Sequence, residues 1–446
     1  MEFVTDYRTE RYALDTKWED FPEAVRTHVV MCGIDLMTAL ILGSYGRQFA
    51  AGEKLANSMG MQGGIPVVGS EHRYNLLGAA VAMGHASNSF DIDDGHKQIC
   101  GHPGTSFVAG TLAAALDRDV SWREYLTTLC VCYELSIRWA LAMQHHYGYL
   151  HSTGAYGAFG TALGVGRLLG FDERMLNNAL SVADFHAPMT PVMRAVEFPS
   201  MNKDGAPFGA LVGMMAALET MCGTSGKTHF LEMPEYRAHL DDLGKTWHIL
   251  ELYFKPYTCC RWAHQPIKAC QDLMAEHGFT GADVEHVRVN TFDSAARLSK
   301  IVPHETDEAQ YNIAFPVASA LVYGDVGFAQ VRQEALDAPA VLEMMKRLEF
   351  AVDPEMEKDF PGKRQAWVEI ALRDGRSFRS RVYEAAGEPD DPDLSLPWIE
   401  AKFRRITALM LDAEAQDELL DLMEHGFERP VREVVARVNT LLKKDI

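Results

Sequence analysis

The distribution of apolar residues changes once along this chain, and that change limits the folds open to it. From about residue 20 to residue 223, apolar residues recur at helical spacing. In "SWREYLTTLCVCYELSIRWA", Leu126, Leu129, Tyr133, Ile137 and Ala140 return every three or four residues, so one helix face is buried. Ser121 and Glu124 open that stretch as a capping box. "FGTALGVGRLLG" predicts a helix that stops at Gly170 and restarts after Asp172, and "APFGALVGMMAALETMCG" another that ends at Gly223. Their many Gly and Ala residues predict close helix–helix contact.

After about Ala263 the pattern alternates. In "HVRVNTF", Val287, Val289 and Thr291 share one face and His286, Arg288 and Asn290 the other, the mark of a half-buried strand. "RLEFAVDP" reads the same way. "AWVEIALRDGRSFRSRVYE" is a hairpin, with Asp374-Gly375 suited to a type I′ turn. Helical stretches at 265–278 and 309–323 interleave with these strands. A linker, "GEPDDPDLSLP", then returns the chain to helix over 398–444, read as a pair that packs back on the first part. The fold class expected is mainly α: a discontinuous all-helical domain of residues 1–264 and 396–446, and a smaller α+β domain of residues 265–395.

Composition narrows function. A formal net charge of -20 disfavours nucleic-acid and anionic-membrane partners. The longest early apolar run, "GIDLMTALILG", is short for a membrane span and carries Asp35. The start, "MEFVTDYRTERYALD", is charged with both signs, unlike a signal peptide. Eight cysteines without paired CxxC spacing argue for reduced thiols in the cytoplasm and against structural zinc. "MCGTSGKT" lacks the first glycine of a phosphate loop, because Met221 stands there. "DIDDGH" puts His96 where a calcium loop needs its turn glycine. No metal and no cofactor are expected.

Four polar patches interrupt the apolar texture: "DIDDGHKQICGHPG", "YGYLHSTGAYG", "EFPSMNKDGAPFG" and "YFKPYTCCRWAHQP". Each sets His, Lys or Arg among Gly or Pro at a turn, where function concentrates. Taken in order, with "AQYNIAFPVA" at Ala309, they resemble the motifs of the MmgE/PrpD family. "HASNSFDIDDGHKQICGHPG" resembles its D-F-D-D-T-H and H-P motif, "HSTG" its H-P-T-G, "MNKDGAPFG" its lysine motif, and "KPYTCCRWAH" its K-P-Y-P-x-C-R-x-x-H.

The resemblance covers essentially the whole chain. It implies a helical domain plus an α+β domain, a small polycarboxylate substrate, no cofactor and a homodimer. It also implies functional roles for Asp91, His102, His151, Lys203, Lys255, Arg261 and His264. Family activities include 2-methylcitrate dehydratase, cis-aconitate decarboxylase and iminodisuccinate epimerase.

Four departures stand out: Gly95 replaces the family threonine, Ser152 a proline and Phe315 a tyrosine, and Lys97 follows His96. They point toward the epimerase branch, with iminodisuccinate as substrate. A hydro-lyase or decarboxylase of a tricarboxylate is the alternative, and a non-catalytic helical scaffold the rival from another class. The candidates for proton transfer are Lys97, His102, His151, Lys203 and Tyr149; those for substrate binding are Asp91, Lys255, Arg261 and His264. Clustered cations suit carboxylates and stabilise enolate-like charge. Crowding also lowers a lysine pKa toward use as a base.

Overall fold

The computed structural model describes residues 5–298 and 300–444. Helices α1 (Glu23–Gly43), α2 (Leu76–Ser87), α3 (Pro103–Arg118), α4 (Trp122–Tyr147), α5 (Thr153–Leu169) and α6 (Ala206–Met221) build the first part. Small residues set their spacing. A Cβ on Gly157 of α5 would lie 2.3 Å from the Ser106 side chain of α3, and one on Gly213 of α6 would lie 2.4 Å from the Ala158 carbonyl of α5. Only glycine allows helices this close. Ser121 caps α4 by accepting the Glu124 amide at 3.2 Å. The expected capping box is half-formed, because the Glu124 carboxylate turns to Arg167 instead, at 2.9 Å.

α1 and α4 are long and apolar enough to cross a bilayer by length and composition alone. The run around Asp35 is longer than its charge suggests, because the helix continues on both sides of that residue. Most of each apolar window is buried inside the protein. A helix that is apolar all round belongs in a core of this size.

Strand β1 (Gly95–His96) pairs antiparallel with β2 (Leu252–Tyr253), setting Gly95 opposite Tyr253. The larger sheet holds β3 (Val284–Thr291), β4 (Leu348–Val352), β5 (Ala366–Leu372) and β6 (Ser377–Arg379), in the order β4-β3-β5-β6. β3 runs parallel to β4 and antiparallel to β5. Val287, Val289 and Thr291 are buried, as their alternation predicts, but Asn290 on the opposite face is buried as well. The β5–β6 turn differs from type I′. Leu372 accepts the Gly375 amide and donates to the Arg376 carbonyl. Of the two turn residues, Gly375 alone has a positive φ, at 88°. One left-handed residue is the signature of a three-residue loop.

α7 (His264–His277) packs on β5 and on α8 (Ala314–Tyr323). The single helix expected over 309–323 is two, Thr306–Gln310 and α8. They part where Asn312 Oδ1 accepts the Phe315 amide at 2.9 Å and starts the second. Three helices end the chain rather than a pair: α9 (Leu396–Thr407), α10 (Ala413–His425) and α11 (Val431–Leu441). α9 and α10 lie against α1, and α11 against α3 and α4. Buried Lys402 on α9 joins the Asp35 carboxylate of α1 and donates to the Ile92 carbonyl at 2.7 Å. The last helices thereby support the loop that carries the site.

Candidate active site

The loop after α2 folds around its own acids. Asn88 donates to Asp93 at 2.9 Å. Asp91 and Cys100 take positive φ, at 52° and 47°, an uncommon conformation that aspartate tolerates better than most residues. Asp94 Oδ1 accepts the Gly104 amide in the first turn of α3 at 3.1 Å, and its other oxygen accepts the Tyr133 hydroxyl. Asp94 therefore satisfies a first-turn amide of α3 from outside the helix. Burial pushes its pKa up to about 7, and Asp35 adds to the shift.

Asp91 and Asp93 flank His102. The imidazole Nδ1 lies 3.0 Å from the Asp94 carbonyl and 3.1 Å from Asp93 Oδ2. Nε2 lies 3.8 Å from Asp91 Oδ1. A carbonyl only accepts, so Nδ1 carries a proton and Nε2 is the nitrogen free for chemistry. Burial and Lys255 push the imidazole pKa down, but Asp93 and Asp91 outweigh them and hold it above the ordinary value. Lys255 is fully buried, 2.9 Å from Asp91 Oδ1.

Asp91 and His102 open onto a cavity of about 410 Å³, together with Cys100, Asp204, Tyr253, Arg261, Tyr311 and Arg364. Asp204 faces His102 through a hydroxyl: the His102 amide donates to Thr153 Oγ1 at 3.0 Å, and Thr153 donates to Asp204 Oδ2. Asp204 Oδ1 is buried without a hydrogen-bond partner. Burial raises its pKa to about 6.

Of the residues expected from sequence, His102, Asp91 and Arg261 line this cavity. Arg261 is committed elsewhere, to Glu388 at 2.8 Å and the Ala386 carbonyl at 2.8 Å, with its guanidinium over the Tyr253 ring. Lys255 acts from behind Asp91. Lys203 lies 3.2 Å from Asp307 Oδ1 and donates to Gln310, and faces a neighbouring hollow.

Four expected residues stand off the cavity. Lys97 is half-buried, and its carbonyl rather than its ammonium is engaged, by Arg364. His264 meets the Cys259 carbonyl at 3.0 Å in the core, where burial lowers its pKa well below the ordinary value. His151 packs against the half-exposed Tyr149, and only their neighbour Leu150 reaches the cavity.

Sequence reasoning missed Asp204, Tyr253, Tyr311 and Arg364. The first three sit inside the quoted motifs and were within reach. Arg364 carries no such signal. Gly95 also has a cause: a Cβ there would lie 2.3 Å from the Tyr253 hydroxyl. The space of a side chain at 95 is filled by a phenol from β2.

Asp91, Asp93 and His102 have donor atoms within 4.8 Å of one another, a spacing open to a cation. Lys255 already supplies positive charge to Asp91 there, so the chemistry of the donor set does not call for a metal. Outside the cavity, His96, His248 and Glu251 form a second such group, with both imidazoles on Glu251 Oε2 at 3.0 and 2.9 Å.

Residues 8–239 match the MmgE/PrpD N-terminal domain and residues 257–425 the MmgE/PrpD C-terminal domain. The cis-aconitate decarboxylase-like protein oryM of Aspergillus oryzae is 23% identical over 445 residues, covering 90% of each chain. The cis-aconitate decarboxylase of Aspergillus terreus is 23% identical over 403 residues, covering 81% of this chain and 80% of its own. With both domain matches spanning the helical part, the α+β part and the cavity between them, this chain belongs to the MmgE/PrpD family.

Proposed function

We propose that this protein is a lyase that removes carbon dioxide or water from a small polycarboxylate, using its own side chains for proton transfer. The observation that carries the reading is His102. It lies between Asp91 and Asp93, which favour its protonated form, and presents Nε2 to the cavity. In a decarboxylation the C–C bond to the carboxylate breaks and carbon dioxide leaves. The electron pair left on carbon takes the proton of His102, and water re-protonates the imidazole. In a dehydration the same group protonates the departing hydroxyl, and Asp204 is placed to take the proton from carbon. Relatives named cis-aconitate decarboxylase support a tricarboxylate substrate.

Epimerisation of iminodisuccinate is the second reading, favoured by Asp204 as a second titrating group at the same cavity. Lys97, one reason for that reading, stands off the cavity. The test is NMR of cis-aconitate, 2-methylcitrate and iminodisuccinate incubated with the enzyme in deuterated buffer. Loss of carbon dioxide or water is the expected result. Deuterium gained at an inverted centre with no loss of mass would establish the epimerase instead. An inert panel would leave a scaffold.

A further inference from the structure

The cations around the cavity differ in one respect. Lys255 is neutralised by Asp91, Arg261 by Glu388 and Lys203 by Asp307. Arg297, on the cavity wall, pairs with Asp293 at 2.7 Å. Arg364 has no carboxylate partner among the described residues, although it is 5% exposed. Its Nη2 donates to the Lys97 carbonyl at 3.2 Å and to Cys100 Sγ at 3.1 Å, the Tyr253 phenol is a further hydrogen-bond neighbour, and Glu388 attracts the guanidinium without pairing with it. Its Nε is buried with no partner. Arg364 stands two residues before β5, and its own carbonyl accepts from Gln265 at 2.9 Å. The main chain is pinned, and the side chain reaches across to the loop of the helical part.

A buried guanidinium with no carboxylate bound to it still has pairing capacity to offer, since buried charge is most stable when paired and hydrogen-bonded. Its vacant donor edge matches a carboxylate fork. Cys100, its partner, stands two residues before His102, so a ligand on Arg364 lies beside the proton-transfer group.

We propose that Arg364 is the anchor for a substrate carboxylate, a role that Arg261, Lys203 and Lys255 cannot fill because internal acids already hold them. The inference rests on the reading that the substrate is a polycarboxylate. It adds that the anchored carboxylate and the reacting one are different groups, so at least two are needed.

The test is calorimetric titration with tricarballylate, a saturated tricarboxylate, of the wild type, Arg364→Met and Arg364→Lys. Losing a buried charged contact should weaken binding by about 30-fold or more in Arg364→Met. Arg364→Lys should fall between, because a lysine supplies charge without the fork. In turnover, KM should rise more than kcat falls. Wild-type affinity in a folded Arg364→Met would overturn the inference. If that variant does not fold, a crystal structure of the wild type with tricarballylate decides: a carboxylate on Arg364 supports it, and all carboxylates elsewhere overturn it. Binding that needs Arg364, without lyase turnover of any tricarboxylate, would sink the lyase reading and leave the anchor standing. A wild type that binds no di- or tricarboxylate would sink both.

Discussion

The aspartate loop and the wall facing it across the cavity are both charged, yet they manage charge in opposite ways. In the loop every acid is answered from within the protein: Asp91 by Lys255, Asp93 by His102, and Asp94 by a helix amide and Tyr133. On the wall, Arg261 is answered by Glu388, and Arg364 by no carboxylate among the described residues. Charge spent internally fixes geometry and sets the protonation of its neighbours. Charge left over is available to a ligand. Counting cations therefore says little about a binding site until their internal partners are subtracted.

The hardest blow to that comparison would fall on the loop's one reactive member. His102→Asn removes the titrating group and keeps an amide. Turnover should drop about 10²–10⁴-fold with the circular dichroism spectrum unchanged. A variant with undiminished kcat would show that the loop's acids serve structure alone.

Next in size is a test of internal pairing. Lys402→Met leaves Asp35 buried without its cation, and breaking a buried pair costs about 3–5 kcal/mol. Chemical denaturation should report a loss of that order. A change below about 1 kcal/mol would mean that Asp35 is neutral in the folded protein already.

A smaller effect should appear with pH. Burial raises Asp94 from an ordinary 3.8 to about 7, and Asp35 and Asp204 to about 6. Between 3.8 and those values the folded protein binds more protons than the unfolded chain. Stability therefore falls as pH rises through that window. His102 acts in the same sense: its raised pKa stabilises fully below 6.5, and that contribution fades as pH climbs through the folded value. Histidines held below their ordinary value, such as His28 and His264, act in the opposite sense, so the test is a difference: from pH 5 to 8 the melting temperature of Asp94→Asn should rise relative to that of the wild type. A constant difference between the two proteins would place the titration elsewhere.

The smallest expected effect is at Lys97. Half-buried and off the cavity, it should tolerate alanine within about 0.5 kcal/mol, with turnover kept. A large loss of activity would return Lys97 to the list of bases and sharpen the case for epimerisation.

These outcomes bear on how much of the molecule can be read from its sequence. The change from helical to alternating pattern locates the two textures, because periodicity is a local property. The aspartate loop is legible for the same reason: Asp91, Asp93, Asp94 and His102 lie within one short stretch. Pairing between distant residues is not. Lys255 and Lys203 look like free cations until Asp91 and Asp307 are brought to them by the fold. Arg364 meets Cys100 across 264 positions of sequence, in a segment of unremarked composition. Gly95 looks like a lost hydroxyl, and the fold shows a phenol in its place. His264 reads as a site residue from its motif, yet the start of α7 turns it toward the core.

The contact between Lys402 and Asp35 also has a consequence in time. The two residues are 367 positions apart. At a synthesis rate of about 5–20 residues per second, the ribosome takes roughly 20–70 s to travel from one to the other. Throughout that interval Asp35 lacks its Lys402 partner, and the Ile92 carbonyl lacks the donor that steadies the loop beside His102. The helical half is then translated but unfinished at its chemical centre. A nascent chain halted before α9 leaves the reactive loop without this support, so proton-transfer chemistry arrives among the last properties the growing polypeptide acquires.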